Sequence, residues 1–123
     1  MDKLEKIFEM QRALDQEIIQ KRGLSSIPPS EWIQKEVLAI ISELSEVLDE
    51  VNYKWWKNPK PLDEDALKQE MVDVLHFFVS MCDKAGMGAE ELFERYCDKN
   101  NENFARQRGQ SNKQGYSVTE LQK

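Results

Sequence analysis

Residues 41–57 read ISELSEVLDEVNYKWWK, and the spacing inside this stretch decides the fold. Leu44, Val47 and Val51 continue a stripe begun by Ile33, Val37 and Ile40, the three-and-four period of an amphipathic helix. Glu43 and Glu46 sit one turn apart on that helix, and like charges at this spacing cost a helix a few tenths of a kcal/mol. A helix that keeps such a pair among apolar neighbours implies a counter-charge from outside it.

The same period recurs along the rest of the chain with no convincing period of two, which predicts an all-α fold, a bundle of four to five helices. Helix 1 is expected from Asp2 to Arg22, striped by Leu4, Ile7, Phe8, Leu14 and Ile18, with Gln11 and Asp15 on the stripe and Gly23 as its stop. Helix 2 is expected from a Ser30 N-cap to about Lys57, where Pro59 and Pro61 end it. Asp63 caps helix 3, which runs to Ala85 with Leu62 and Leu67 as a hydrophobic staple, and helix 4 covers Ala89 to Gln107. Residues 1–107 then form one domain, and 108–123 are polar, a tail or a flap.

At 123 residues and 40% hydrophobic the chain supports one small core, to which a second copy would add burial. The net charge of −6 and the lack of a polybasic run argue against nucleic acid as a partner, because that binding rests on cations neutralising phosphates. Nothing approaches the roughly 20 apolar residues of a membrane span, and MDKLEKIFEMQ lacks the apolar core of a leader, so a cytoplasmic protein is expected. Cys82 and Cys97 lie in helical patterns without CxxC spacing and read as small core residues.

Helix 3 carries a second acidic pair, Glu70 and Asp73, in KQEMVDVLHFF. If helices 2 and 3 form an antiparallel hairpin, the first pair lies roughly 12 residues, about 19 Å, from the end of helix 2. The second lies roughly 8 residues, about 13 Å, from the start of helix 3, so the pairs can face each other. Four carboxylates at one level either take up protons or bind a divalent cation, and oxygen-only ligands suit Mg²⁺ or Mn²⁺. A single Glu-x-x-Glu in a chain with 23 acidic residues is ordinarily a solvated face. Its recurrence at matching depth, beside Ile41, Leu44, Met71 and Val72, separates this case from that one.

Glu43-Leu-Ser-Glu46, residues 47–69, then Glu70-Met-Val-Asp73 resembles the ExxE…ExxD signature of the all-α NTP pyrophosphatases, the superfamily of MazG and the dimeric dUTPases. MQRALD (10–15), YKWWKNPKPLD (53–63), DVLHFFVSM (73–81) and KNNENFARQ (99–107) resemble, in order, motifs of the dimeric, MazG-related dUTPases. The resemblance implies a homodimer, or a tetramer, that hydrolyses dUTP to dUMP and pyrophosphate with Mg²⁺, for which Mn²⁺ can substitute. It implies that Glu43, Glu46, Glu70 and Asp73 hold the metal and that Glu46 orients the attacking water. Lys57, Lys99 and Arg106 would meet the phosphates, with Lys99, Asn103 and Arg106 sharing one face of helix 4. Gln11, Asp15, Trp56, His76, Phe77 and Asn103 would form the base pocket, Asp15 standing where some relatives have Asn. Trp32 and Trp55 are expected in core or dimer contacts.

Three rivals remain on the sequence. The same chemistry on another nucleotide, as in a MazG-like or dCTP pyrophosphatase, would use an identical acidic site. A di-iron bundle is suggested only by Asp73-x-x-His76, half of a carboxylate-x-x-His pattern in a chain with one histidine. A helical adaptor with solvated acidic clusters would show no dependence of its stability on Mg²⁺.

Overall fold

In the computed structural model, which describes residues 1–118, four helices account for the fold: α1 Lys3–Arg22, α2 Pro29–Glu50, α3 Glu64–Lys84 and α4 Ala89–Gln107. The all-α expectation holds; among the described residues there is no strand, and no helix is long and apolar enough to cross a membrane. The chain divides into two compact units, Met1–Gly88 and a second beginning at Ala89.

Local chemistry sets the helix ends. Asp2 and Glu5 form a capping box on α1, and Gly23 closes it in the left-handed region at φ 64°. Asp63 caps α3 by accepting from the Ala66 amide at 3.0 Å. At α2 the structure corrects the sequence reading at both ends. Pro28 occupies the cap position with no side-chain bond, because Pro29 at the first helical position has no N–H to satisfy, so Ser30 already lies inside the helix. The helix also stops at Glu50, seven residues before Lys57. Asn52 turns left-handed at φ 55°, and its side chain both donates to the Lys60 carbonyl (2.7 Å) and accepts from the Lys60 amide (2.9 Å). That clasp closes residues 51–63 into a loop, and the aromatic run Tyr53, Trp55, Trp56 stacks edge-on within it.

Within the first unit α3 packs along α2 and also against α1. Residue pairs give the directions. Glu36 meets Ser80 and Glu43 meets Glu70, so α2 and α3 are antiparallel, whereas Gln11 meets His76 and Asp15 meets Ser80, so α1 runs parallel to α3. With α2 ending at Glu50, the first acidic pair lies about 8 Å from its helix end and the second about 11 Å from the start of α3, a closer match than the sequence boundaries allowed.

The single chain covers little apolar surface. Among the described hydrophobic residues only Phe8, Val79 and Cys82 are buried. Leu14, Ile18, Val37 and Leu44, expected to face a core, remain 38–47% exposed, and Leu38 and Ile41 remain 66% and 58% exposed. Cys97 is half-buried in α4.

The second unit is α4 followed by a segment folded back on its last turns. Gln110 donates its amide to the Ala105 carbonyl at 2.8 Å, Ser111 Oγ donates to Glu102 at 2.7 Å, and the Arg106 guanidinium lies over the Tyr116 ring. Residues 119–123 of the expected tail lie outside the described residues.

Candidate active site

The turn-spaced pairs on α2 and α3 meet. One ligand atom each from Glu43, Glu46 and Glu70 lies within 4.8 Å of the others. Glu43 Oε2 and Glu70 Oε2 are buried with no hydrogen-bond partner, although buried carboxylate oxygens are ordinarily satisfied. The hydrogen bond Glu70 shares with Glu46 raises its carboxyl to about 7, helped by desolvation and by the charges of Glu46, Asp73 and Glu43. Burial raises Glu43, and the contact with Glu46 adds to the shift. Carboxylates this close disfavour one another's charged form, which a cation would offset. The cluster's all-oxygen donor set and its two unpartnered buried oxygens fit a divalent cation such as Mg²⁺ or Mn²⁺. Asp73 lies outside the tight trio but lines the same cleft as Glu43, and its charge raises both Glu43 and Glu70.

Next to this cluster a cleft of about 580 Å³ opens between α1, α2 and α3, within the size range of small-molecule sites. Its walls include Leu14, Ile18, Trp32 and Phe77, with Lys35, Glu43 and Asp73 also lining it; six further polar groups are Gln11, Asp15, Glu36, His76, Ser80 and Lys84. These six form one connected network. Gln11 Nε2 donates to Asp15 Oδ1 at 2.9 Å. Ser80 Oγ lies 2.6 Å from both Asp15 Oδ2 and Glu36 Oε1, and Lys84 Nζ reaches Asp15 Oδ2 at 3.4 Å while sitting over the Trp32 ring. Because a carboxylate only accepts, Gln11 must turn its amide nitrogen toward Asp15 and its oxygen toward His76. The His76 Nδ1 therefore carries the proton and donates to Gln11 Oε1.

A family model described as dUTPase matches residues 3–84, two thirds of the chain, and covers all three helices that build this site. The chain belongs to the dUTPase family. Two curated proteins of phage origin are similar to it. One, named dCTP pyrophosphatase, from Enterobacteria phage LZ5, is 38% identical over 74 residues, covering 60% of this chain and 43% of that protein. The other, also named dCTP pyrophosphatase, from Enterobacteria phage T4, is 34% identical over 87 residues, covering 59% of this chain and 51% of that one. The chain spans about half the length of these curated relatives. No solved structure matches it.

The other site residues expected in this dUTPase-family chain fall into three groups. Gln11, Asp15, His76 and Phe77 line the cleft together with Glu43 and Asp73. Trp56 and Lys57 are not among its lining residues; Trp56 is 60% exposed in the 51–63 loop, and Lys57 shares a separate surface hollow with Asn52, Lys54 and Lys60. Lys99, Asn103 and Arg106 belong to the second unit, where Arg106 Nε is paired with Glu102 at 3.0 Å. Sequence reasoning missed Glu36, Ser80 and Lys84 and assigned Trp32 to packing. A signal was present, because Asp73, Phe77, Ser80 and Lys84 follow one another at four, three and four along α3, and Glu36 precedes Glu43 by two turns.

Proposed function

We propose that the protein is a Mg²⁺-dependent nucleoside triphosphate pyrophosphohydrolase acting on a pyrimidine deoxynucleotide, releasing the monophosphate and pyrophosphate. The observation that carries this reading is the pair of unpartnered buried oxygens on Glu43 and Glu70 beside a cleft of nucleotide-base size. An adaptor has no need of buried like charges, and a di-iron bundle would need a second histidine that the chain lacks.

Glu43, Glu46, Glu70 and Asp73 would hold the metal, which supplies positive charge to the triphosphate and to the leaving pyrophosphate. Glu46, an exposed member of the trio, would accept the proton of the attacking water as general base. Phe77 and Trp32 would sandwich or wall the base, and Gln11, Asp15 and His76 would read its edge. Lys99 and Arg106 would neutralise phosphate oxygens and Asn103 would contact the base or sugar, an arrangement that the uncovered apolar faces of α1 and α2 suit if two copies assemble as a homodimer. Lys57 and Trp56, on the loop, would reach a nucleotide through the same assembly.

The motifs suggest dUTP as substrate, whereas both curated relatives carry the name dCTP pyrophosphatase. The relatives' name supports dCTP, and so does the Asp15 carboxylate in the cleft, an acceptor that matches the amino group cytosine presents where uracil presents a carbonyl. A panel of the deoxynucleoside triphosphates and dUTP with Mg²⁺ tests this. We expect the largest kcat/KM for dCTP, dUTP second, and purine nucleotides lower by at least about 100-fold. Equal turnover of purine and pyrimidine nucleotides would replace the reading with an unselective pyrophosphatase.

A further inference from the structure

Behind the base-facing residues lies a layer whose proton count is fixed by geometry. Ser80 is 2% exposed and Glu36 6% exposed, and the one hydroxyl of Ser80 stands 2.6 Å from two carboxyl groups. A hydroxyl has a single hydrogen, so it can donate to one of them only, and the other must hold a proton and donate back. Lys84 identifies which is which. Its ammonium pairs with Asp15 Oδ2, and both side chains are 13% exposed, so Asp15 is the carboxylate that receives. Glu36 is then the neutral partner, in keeping with the upward push that burial gives its carboxyl. Asp15 thus accepts from Gln11 at one oxygen and from Ser80 and Lys84 at the other.

We propose that Glu36, Ser80 and Lys84 are positioning residues that hold Asp15 as a fixed hydrogen-bond acceptor in the cleft, and that this acceptor selects cytosine over uracil. The inference rests on the cleft being the base pocket of the proposed enzyme. An anchored carboxylate accepts from the exocyclic amine of cytosine but meets the O4 of uracil with lone pair against lone pair, leaving buried groups unpaired. The same anchor fixes the orientation of the Gln11 amide, because one N–H of its nitrogen is committed to Asp15 and its oxygen to His76. An amide at position 15 would lift both restrictions, since it can present a donor.

Binding of dCMP and dUMP by calorimetry, without metal, separates this inference from the hydrolytic reading. Wild-type protein should prefer dCMP by about tenfold or more. Asp15→Asn should reduce the dCMP-to-dUMP preference at least tenfold, and Ser80→Ala, which unties Asp15 from Glu36, should reduce it at least fivefold. Glu36→Gln, whose amide N–H can replace the proton donated to Ser80, should keep the preference within about threefold. In turnover the Ser80→Ala loss should fall on KM for dCTP. Preference unchanged in folded Asp15→Asn and Ser80→Ala proteins would overturn the proposal, as would wild-type protein that binds neither mononucleotide or favours dUMP. Selective binding of dCMP by a protein that hydrolyses no triphosphate would support the acceptor role and overturn the proposed activity alone.

Discussion

Glu46→Gln should lower kcat by at least about 100-fold while leaving nucleotide binding measurable, because the substitution keeps the shape of the side chain and removes the charge and the base. The structure adds a second expectation. The bond that Glu70 shares with Glu46 is the first cause of its raised carboxyl, so replacing Glu46 with an amide that can donate to Glu70 removes one like charge from the cluster. Glu46→Gln protein without metal should therefore melt no lower than wild type, even though it is nearly inactive. Steady-state kinetics and thermal melts on the same preparation check both halves. Near-normal kcat would remove Glu46 from the mechanism, and a large loss of stability would mean that the side chain holds the hairpin together.

The second large effect is on the melting temperature. In EDTA, Glu70 titrates near 7 in the folded protein, whereas an unfolded glutamate titrates near about 4.3. Between those values the folded state holds a proton that the unfolded state has released, so stability falls as pH rises through this window and is lowest above about 7. Glu43 shifts in the same direction and adds to the slope. Metal-free protein should consequently melt lower at pH 8 than at pH 6. Mg²⁺ at 100 times its Kd adds about 2.7 kcal/mol, on the order of 10 °C for a chain of this size, and its effect should be larger at pH 8, where the ligands are ionised. A solvated acidic face would give the same melting curve in Mg²⁺ and in EDTA at both pH values.

How much of this was legible in the sequence follows from the range of the interactions involved. The three-and-four period, the Asp63 cap and the Gly23 stop act within one turn, and they placed α1, α3 and α4 within a residue or so of their observed ends. The end of α2 was misread because helical spacing persists through Val51, while the interaction that breaks the helix is made by Asn52 with Lys60, eight residues away. The acidic trio was legible because each pair repeats one turn apart and the intervening loop fixes the hairpin. The layer under the pocket was legible only in part: the four-three-four spacing puts Ser80 and Lys84 on the face of Asp73 and Phe77, but their link to Asp15 and Glu36 arises only when α1 is laid beside α3, a pairing no local pattern dictates. The apolar stripes were read correctly as helical faces, but Leu14, Val37 and Leu44 stay half-exposed in one chain, so the stripe marks a face to be covered without naming what covers it.

On the proposed function, the carboxylates of α2 and α3 serve hydrolysis of a deoxynucleoside triphosphate to its monophosphate. The most direct test follows dCTP by ³¹P NMR with the purified protein and Mg²⁺, then repeats the run with excess EDTA and with Glu46→Gln. With Mg²⁺, dCMP and pyrophosphate should appear in equal amounts, and neither should appear in the two controls; release of dCDP and orthophosphate, or turnover that survives EDTA, would rule this chemistry out.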